Sequence, residues 1–362
     1  MLNNEEKAIM WLELFDFLTI NKKQKILSMF DNPYSIFSQL VTKSQAMLEI
    51  VNQNQLDNML DMLDEKYVER FIKILNETNV KFTTCYSNDY PQKLLDYNNY
   101  PLVLYYKGDL SIINSRCVGV VGTRRITRYG ERVTQKYCEQ FVANNITIVS
   151  GMAEGVDTIS AKTALNNGGK TIAVLGSGFN DIYPHSNIEL AKQIAQNGLL
   201  ITEYSPTMKA ATYHFPVRNR IIVALSDAVL ITEASLKSGV MYTKDYCLEY
   251  GKDIFVVPGN IDSERSEGCN AILKAMQGAI TTSPNDVLES LNIKNCYKEQ
   301  NKLAVQISLE EQLVLDALSS EEVHFDELLI RTKLDTKTLL RLLTTMELNG
   351  IIKKLAGNYY SK

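Results

Sequence analysis

The stretch "HFPVRNRIIVALSDAVLITEASLKSGV", residues 214–240, holds the pattern on which the fold turns. Val217, Ile221, Ala224 and Leu225 recur at helical spacing, and Pro216 suits a first helical turn, where its missing N–H costs little. "AVLIT" then runs as an apolar segment of strand length, and small residues follow it. A helix feeding a short, wholly apolar strand implies a parallel sheet buried on both faces. The helix start also carries Arg218 and Arg220. Cations at the positive end of a helix dipole are unfavourable by roughly 0.3–1 kcal/mol each at a surface. An anion in front of them would reverse that sign, so a phosphate is expected to face both arginines.

The same texture extends outward from this stretch. "CVGVVG", "ITIVS", "TIAVLG", "LLITE", "AVLIT" and "DIFVV" read as strands, separated by helices near 129–144, 156–167, 187–197, 215–226 and 240–250. Gly251 follows the last helix as a C-cap glycine should. This alternation predicts one α/β core over about 113–285, a Rossmann-like, mostly parallel sheet. Before it, residues 1–75 are helical in pattern, with an Asp-Asn-Pro break at 31–33. Residues 80–112 are rich in Tyr and Asn and read as an extended connector with one strand. After the core, 286–305 is polar and without a clear period. The tail reads as three helices and two short strands around Ala356-Gly357-Asn358, a winged-helix-like pattern. The expected division is a helical domain over 1–78 (SAM or helix-hairpin-helix-like), an extended Rossmann-like domain over 79–290, a linker over 291–305 and a winged-helix-like domain over 306–362.

Composition narrows the classes. The chain has 362 residues, 45% of them apolar, enough for a sizeable core in two or three domains. Its start, "MLNNEEKAIMWLELF", does not read as a signal peptide, and no apolar run approaches a membrane span. The six cysteines are scattered with no C-x-x-C pair, which points to reduced thiols in a cytoplasmic protein. His185, His214 and His324 form no H-E-x-x-H, so no metal site is expected. The net charge of −4 is unevenly spread: residues 113–138 hold six Arg or Lys against Glu131 alone, and 205–226 hold Lys209, Arg218 and Arg220 with no acid. A positive face on an acidic body fits a polyanion partner.

In a parallel sheet the strands' C-terminal ends share one edge, and ligands bind in the crevice outside it. The segments that follow the strands are "GTRRITRYG", "SGMAEGVD", "GSGFNDIYPHSN", "EYSP", "EASLKSGV" and "PGN". Glycines, small residues and Arg124 and Arg125 converge there, as backbone approach to a phosphate requires. Nucleotide-enzyme motifs do not fit. "GGKT" at 168–171 has Ala164 where a P-loop needs its first glycine, and it precedes a strand; "GSG" at 176–178 has Asp181 where a dinucleotide fingerprint needs its third. Each residue also has a plainer reading. Arg218 and Arg220 could pair with Glu203, Asp227 or Glu233. Arg124, Arg125, Arg128 and Arg132 could form one solvated helix face. Ser150-Gly151 and Ser238-Gly239 could be helix caps. Asp157 suits a first helical turn better than a catalytic role. Phe179 and Tyr183 could stack on bases or pack in the core.

Taken in order, "VGVVGTRRITRYG", "IVSGMAEGVDTISAKTAL", "TIAVLGSGFNDIYPHSN", "FPVRNRIIVALSDAVLITEA", "SG" and "FVVPG" resemble the DNA-processing protein A family (DprA, also called Smf) over about 150 residues. The flanking helical and winged-helix-like segments agree with that family's three-part layout. Lys162 and Lys244 depart from its pattern, each adding a positive charge, and Gly268–Gly278 is slightly long. The resemblance implies a protein that is not an enzyme and has no cofactor: one that binds single-stranded DNA in natural transformation, shields it and loads the RecA recombinase. It further implies a homodimer formed through the α/β domain, and a single-stranded DNA-binding protein as a further partner. By position it assigns DNA contacts to Gly122, Thr123, Arg124, Ser150, Gly151 and Gly155, and to Phe215, Arg218, Asn219, Arg220, Ser238 and Gly239. Phe179, His185 and Lys244 complete the set.

Two other classes stay in view. A lonely-guy-type nucleotide phosphoribohydrolase would need a P-G-G-x-G-T-x-x-E loop, which "EASLKSGVMYTKD" does not supply. A nucleotide-sensing regulator would use the tail on duplex DNA, but its recognition helix over 335–348 sets Lys337 and Arg341 against Asp335 and Glu347.

Overall fold

The computed structural model describes residues 2–297, 308–318, 322–348 and 351–361. They form two compact units, divided after Tyr297. Most of the stretch expected as a linker, from 298 onward, lies outside the described residues up to Ser308.

The first unit begins with helices, of which Asn4–Leu12, Gln53–Asp61 and Glu65–Glu77 are the longest. Asn3 with Glu6, and Asn52 with Gln55, close capping boxes at two of their starts, satisfying amides that a helix leaves open. Trp11 is fully buried, packs edge-on against Phe15 at 4.9 Å and donates from Nε1 to the carbonyl of Met62 at 2.6 Å. The same hydrophobic cluster runs on into Tyr105 and Leu200 of the sheet. The helical segment is therefore a layer on the sheet and shares its compact unit.

The sheet has nine strands in the order β1-β2-β6-β5-β4-β3-β7-β8-β9. These are β1 (Lys81–Thr84), β2 (Val103–Gly108), β3 (Cys117–Val121), β4 (Thr147–Ser150), β5 (Thr171–Val174), β6 (Leu199–Thr202), β7 (Ala228–Ile231), β8 (Asp253–Val256) and β9 (Ala279–Ile280). From β6 through β9 every pairing is parallel, and β2 and β1 extend the sheet antiparallel beyond β6. The connector expected to hold one strand thus holds two. β1 is four residues at the sheet's edge, too short to show alternation. Strand residues alternate between the two covered faces: Val229 and Ile231 join one core, Ala228 and Leu230 the other. Burying each such aliphatic side chain contributes about 1.5–3 kcal/mol. All six cysteines are free thiols.

From β3 the chain moves one way through β4, β5 and β6. It then crosses back to lay β7 against the other side of β3 and continues outward. This reversal between β3 and β7 is the switch point of a doubly wound sheet, where the adjoining loops part and leave a crevice.

The second unit has helices Leu309–Ala317, Phe325–Thr332 and Thr336–Leu348 and a three-stranded sheet of β10 (Val323–His324), β12 (Tyr359–Ser361) and β11 (Lys353–Leu355). It is a winged helix. Val314, Leu328, Leu339, Leu343 and Tyr360 fill its core. The third strand, two residues long, was beyond reach of the sequence pattern.

Candidate nucleic-acid interface

At the switch point the amide of Thr123, just past β3, donates to the carbonyl of Glu233, just past β7, at 2.7 Å. The Glu233 side chain is buried and accepts from the Thr127 amide at 2.9 Å and the Thr127 hydroxyl at 2.6 Å. Thr127 in turn caps helix Arg128–Ala143 through the amide of Gly130. A buried carboxylate at a helix N-terminus is matched by the dipole. The result is a fixed floor between the two strands. Gly155, at φ +75°, opens helix Val156–Asn166 against the same loop, where a Cβ would lie 2.2 Å from the Thr123 carbonyl. Only glycine fits that close approach.

Above this floor is a cleft of about 840 Å³. Gly122, Thr123, Arg124 and Arg125 line it from the β3 side; Ser235, Lys237, Ser238 and Gly239 line it from the β7 side. Helix His214–Leu225 contributes Phe215, Pro216, Arg218 and Asn219, and its N-cap residue Tyr213 makes no side-chain cap. Tyr183 and His185 stand at the rim. The Arg124 guanidinium lies over the Phe215 ring at 5.3 Å, and Tyr183 packs on Phe215 at 5.5 Å, giving an aromatic wall beside a cation.

Arg218 is the buried cation of the cleft, 3% exposed. Its Nη1 donates to the carbonyls of Gly151 and Val174, and its Nε donates to Asn219 Oδ1 at 3.2 Å. Asn219 donates onward to Thr243 at 2.9 Å, which fixes its orientation. Burial pulls the Arg218 pKa down to about 10, Asp157 opposes that shift and the charge of Arg124 adds to it. Asp157 accepts from the amides of Gly151 at 3.1 Å and Ala153 at 3.2 Å, while burial pushes its own pKa up. The lining thus holds five cations, Arg124, Arg125, Arg218, Lys237 and Arg265, against Asp157, Asp181 and Glu264. An anion between Arg124 and Arg218 would relieve their repulsion and meet an uncapped helix end.

Several expected residues lie elsewhere. Arg220 is 2% exposed and points away from the cleft: its Nη1 and Nη2 grip Glu203 at 2.7 and 2.6 Å, and its Nε donates to the Asn99 carbonyl at 3.1 Å. The plainer reading, pairing with Glu203, is the one the geometry carries. Phe179 is buried in the core shared with the N-terminal helices, beneath Lys107. Lys244 is outside the cleft lining and pairs with Asp245 at 2.7 Å and Gln277 at 3.2 Å. Ser150 is buried and donates to the Val120 carbonyl, a contact that secures β4 to β3. Lys237 and Arg265 line the cleft as well, beyond the residues expected from the sequence. Their signal was available, since each follows a parallel strand and such segments share the ligand edge.

The fold and cleft define a Rossmann-like α/β protein with an anion-adapted switch-point crevice, joined to a winged helix. The particular family follows from comparison with known proteins. DNA recombination-mediator protein A matches residues 81–292 and the DprA winged helix domain matches residues 299–358, so the chain belongs to the DprA family. Protein Smf of Escherichia coli is 34% identical over 81% of this chain and 80% of its own length. DNA processing protein DprA of Streptococcus pneumoniae is 38% identical over 61% of this chain and 80% of its own. The solved structure of the S. pneumoniae protein superimposes with a TM-score of 0.69 at 29% identity, covering 80% of this chain and 98% of that one. DNA processing protein A of Helicobacter pylori, solved to show its single-stranded DNA binding mode, gives 0.54 at 32% identity, covering 59% of this chain and 96% of that one.

Proposed function

We propose that this protein binds single-stranded DNA in the switch-point cleft, shields incoming DNA in natural transformation and passes it to a RecA recombinase. The observation that supports this reading best is that Arg124 and Arg218 line one cleft together with the small residues Gly122, Ser238 and Gly239. Such groups contact phosphates and carry little base information, while Phe215 and Tyr183 offer π-faces that any base can use. The binding mode described for the H. pylori relative supports it independently. DNA contacts are assigned to Gly122, Thr123, Arg124, Gly151, Arg218, Asn219, Ser238 and Gly239, with His185 and Phe215 at the base-facing wall.

The protein acts as a binding module, without catalysis or cofactor. A phosphoribohydrolase would need a free carboxylate beyond β7, and Glu233 is buried under two bonds from Thr127. A homodimer through the α/β domain is part of the reading: Leu248, Met276 and Ile280 are exposed around the short edge strand β9. RecA and a single-stranded DNA-binding protein are the proposed protein partners. Among the described residues no helix is long and apolar enough to cross a membrane. The deciding experiment compares single- and double-stranded DNA in a gel shift without nucleotide, beside an assay for free base released from nucleoside monophosphates. Retarded single strands of unrelated sequence and no base release are expected. A strong preference for one duplex sequence, or base release, overturns the reading.

A further inference from the structure

Helix Arg128–Ala143 begins where the cleft-lining segment Arg124–Arg125 ends. Its buried face is Gly130, Thr134, Tyr137, Cys138 and Phe141. Opposite that face, Arg128, Arg132 and Lys136 are all exposed, at intervals of four residues. Residues four apart are neighbours on one helix face, so this is a single cationic stripe, about 12 Å long at 1.5 Å per residue. It works against the helix twice. Like charges four apart repel, and the stripe begins at the positive end of the dipole. Among the described residues neither Arg132 nor Lys136 has an ion-pair or hydrogen-bond partner. The stripe ends at the half-buried Glu139, and the adjoining helix Val156–Asn166 adds one more exposed cation, Lys162. Among the described residues Arg132 and Lys136 are thus left without a balancing acid, on the helix that follows the cleft's Arg124 and Arg125.

We propose that this stripe is a second segment of the nucleic-acid path: a single strand leaving the cleft past Arg124 and Arg125 continues along the exposed face of helix Arg128–Ala143, its phosphates on Arg132 and Lys136. The inference rests on the reading of the cleft as a single-strand site and extends it from a pocket to a track. Arginine and lysine at this spacing meet successive phosphates of an extended backbone without reading bases.

The test uses the full chain and the double variant R132Q/K136Q, which keeps helix-forming side chains at both positions. Binding is measured with oligothymidylates of about 8 and about 24 nucleotides, lengths that bracket a local site and a track. The variant is expected to bind the short oligomer as wild type does. It should bind the long one about tenfold more weakly, with the log–log salt slope reduced by about 1.4, two phosphate contacts at ~0.7 each. Its melting temperature should be unchanged or higher, because removing like charges relieves the helix. Long-oligomer affinity and slope equal to wild type overturn the track alone. An equal loss at both lengths overturns it too, since the stripe would then belong to the pocket. Wild-type protein that binds neither length overturns the reading of the cleft and the track with it.

Discussion

Arg220 and Glu203 form a closed fork, Nη1 to Oε1 at 2.7 Å and Nη2 to Oε2 at 2.6 Å, with both side chains nearly removed from solvent. The pair joins helix His214–Leu225 to the end of β6, and the Asn99 carbonyl completes the arginine's bonding. Removing one partner leaves the other charge buried and unpaired. Arg220→Ala should therefore cost about 3–5 kcal/mol of stability. Single-strand affinity of the folded fraction should hardly change. Urea unfolding and a binding titration below the transition separate the two effects. A large loss of affinity with unaltered unfolding would return Arg220 to the cleft.

Arg124→Ala should do the reverse. The side chain is exposed and lines the cleft. Its loss should weaken single-strand binding ten- to a hundredfold, about 1.5–3 kcal/mol for a charge-assisted bond. The salt slope should fall by about 0.7. Lys at this position should rescue only in part, since it keeps the charge and loses the planar fork. A salt titration of both variants beside thermal melts is the measurement.

Gly151→Ala reaches Arg218 without touching its charge. A Cβ there would lie 2.6 Å from Arg218 Nη2 and 2.8 Å from Asp157 Oδ2. Both groups are buried and cannot swing into solvent, so the guanidinium must leave its carbonyl acceptors. Loss of binding together with a lowered melting temperature is the expected result. Arg124→Ala should lower binding alone, so the two variants are distinguishable in the same pair of assays.

Acidification should expose His214. Burial holds its pKa below the ordinary value of 6.5, and its Nδ1 is buried without a partner. In the interval between the folded and unfolded values the unfolded chain carries the proton and the folded chain does not, so stability falls as pH falls through that window. Burial raises the pKa of Glu13 and Asp157, and these groups act oppositely: their protonation on acidification relieves a cost of folding. The His214→Phe variant isolates the histidine. Its melting temperature should drop less than that of wild type between neutral pH and the mildly acidic range, measured by thermal melts across pH.

Deleting residues 306–362 should leave single-strand binding largely intact. The cleft is built wholly within the first unit, and helix Thr336–Leu348 balances Lys337 and Arg341 against Glu347 and the neighbouring Asp335. Complete loss of binding by a truncated chain that melts normally would assign the winged helix a direct part.

The core strands β3 to β8 were legible because burial on both faces leaves unbroken apolar runs such as Ala228–Ile231, which no polar period disguises. Strands β1, β9 and β10 were not: β9 and β10 have only two residues each, and β1, Lys81–Thr84, is an edge strand whose polar residues break any apolar run. The expectation that one phosphate faces both Arg218 and Arg220 conflicts with the helix they share. Two residues apart on a helix is about 200° of rotation, so they must face nearly opposite sides. Phe179 could not be placed from its motif, since an aromatic beside glycines suits a ligand wall and a core equally. Its fate depends on the N-terminal helices, more than a hundred residues away, that cover it.

The bond between Thr123 and Glu233 spans 110 positions of chain, and the pairing of Val118–Val121 with Ala228–Ile231 spans as many. On a ribosome these partners emerge well apart in time, at roughly 5–20 residues per second. Until β7 is made, β3 is paired on one side only, and its other side is an open edge able to recruit a stray strand. A chain halted before residue 231 can build β3 through β6 yet has no far wall for its cleft. The capacity to hold a ligand therefore arrives late in synthesis, and at once, when the seventh strand closes the gap.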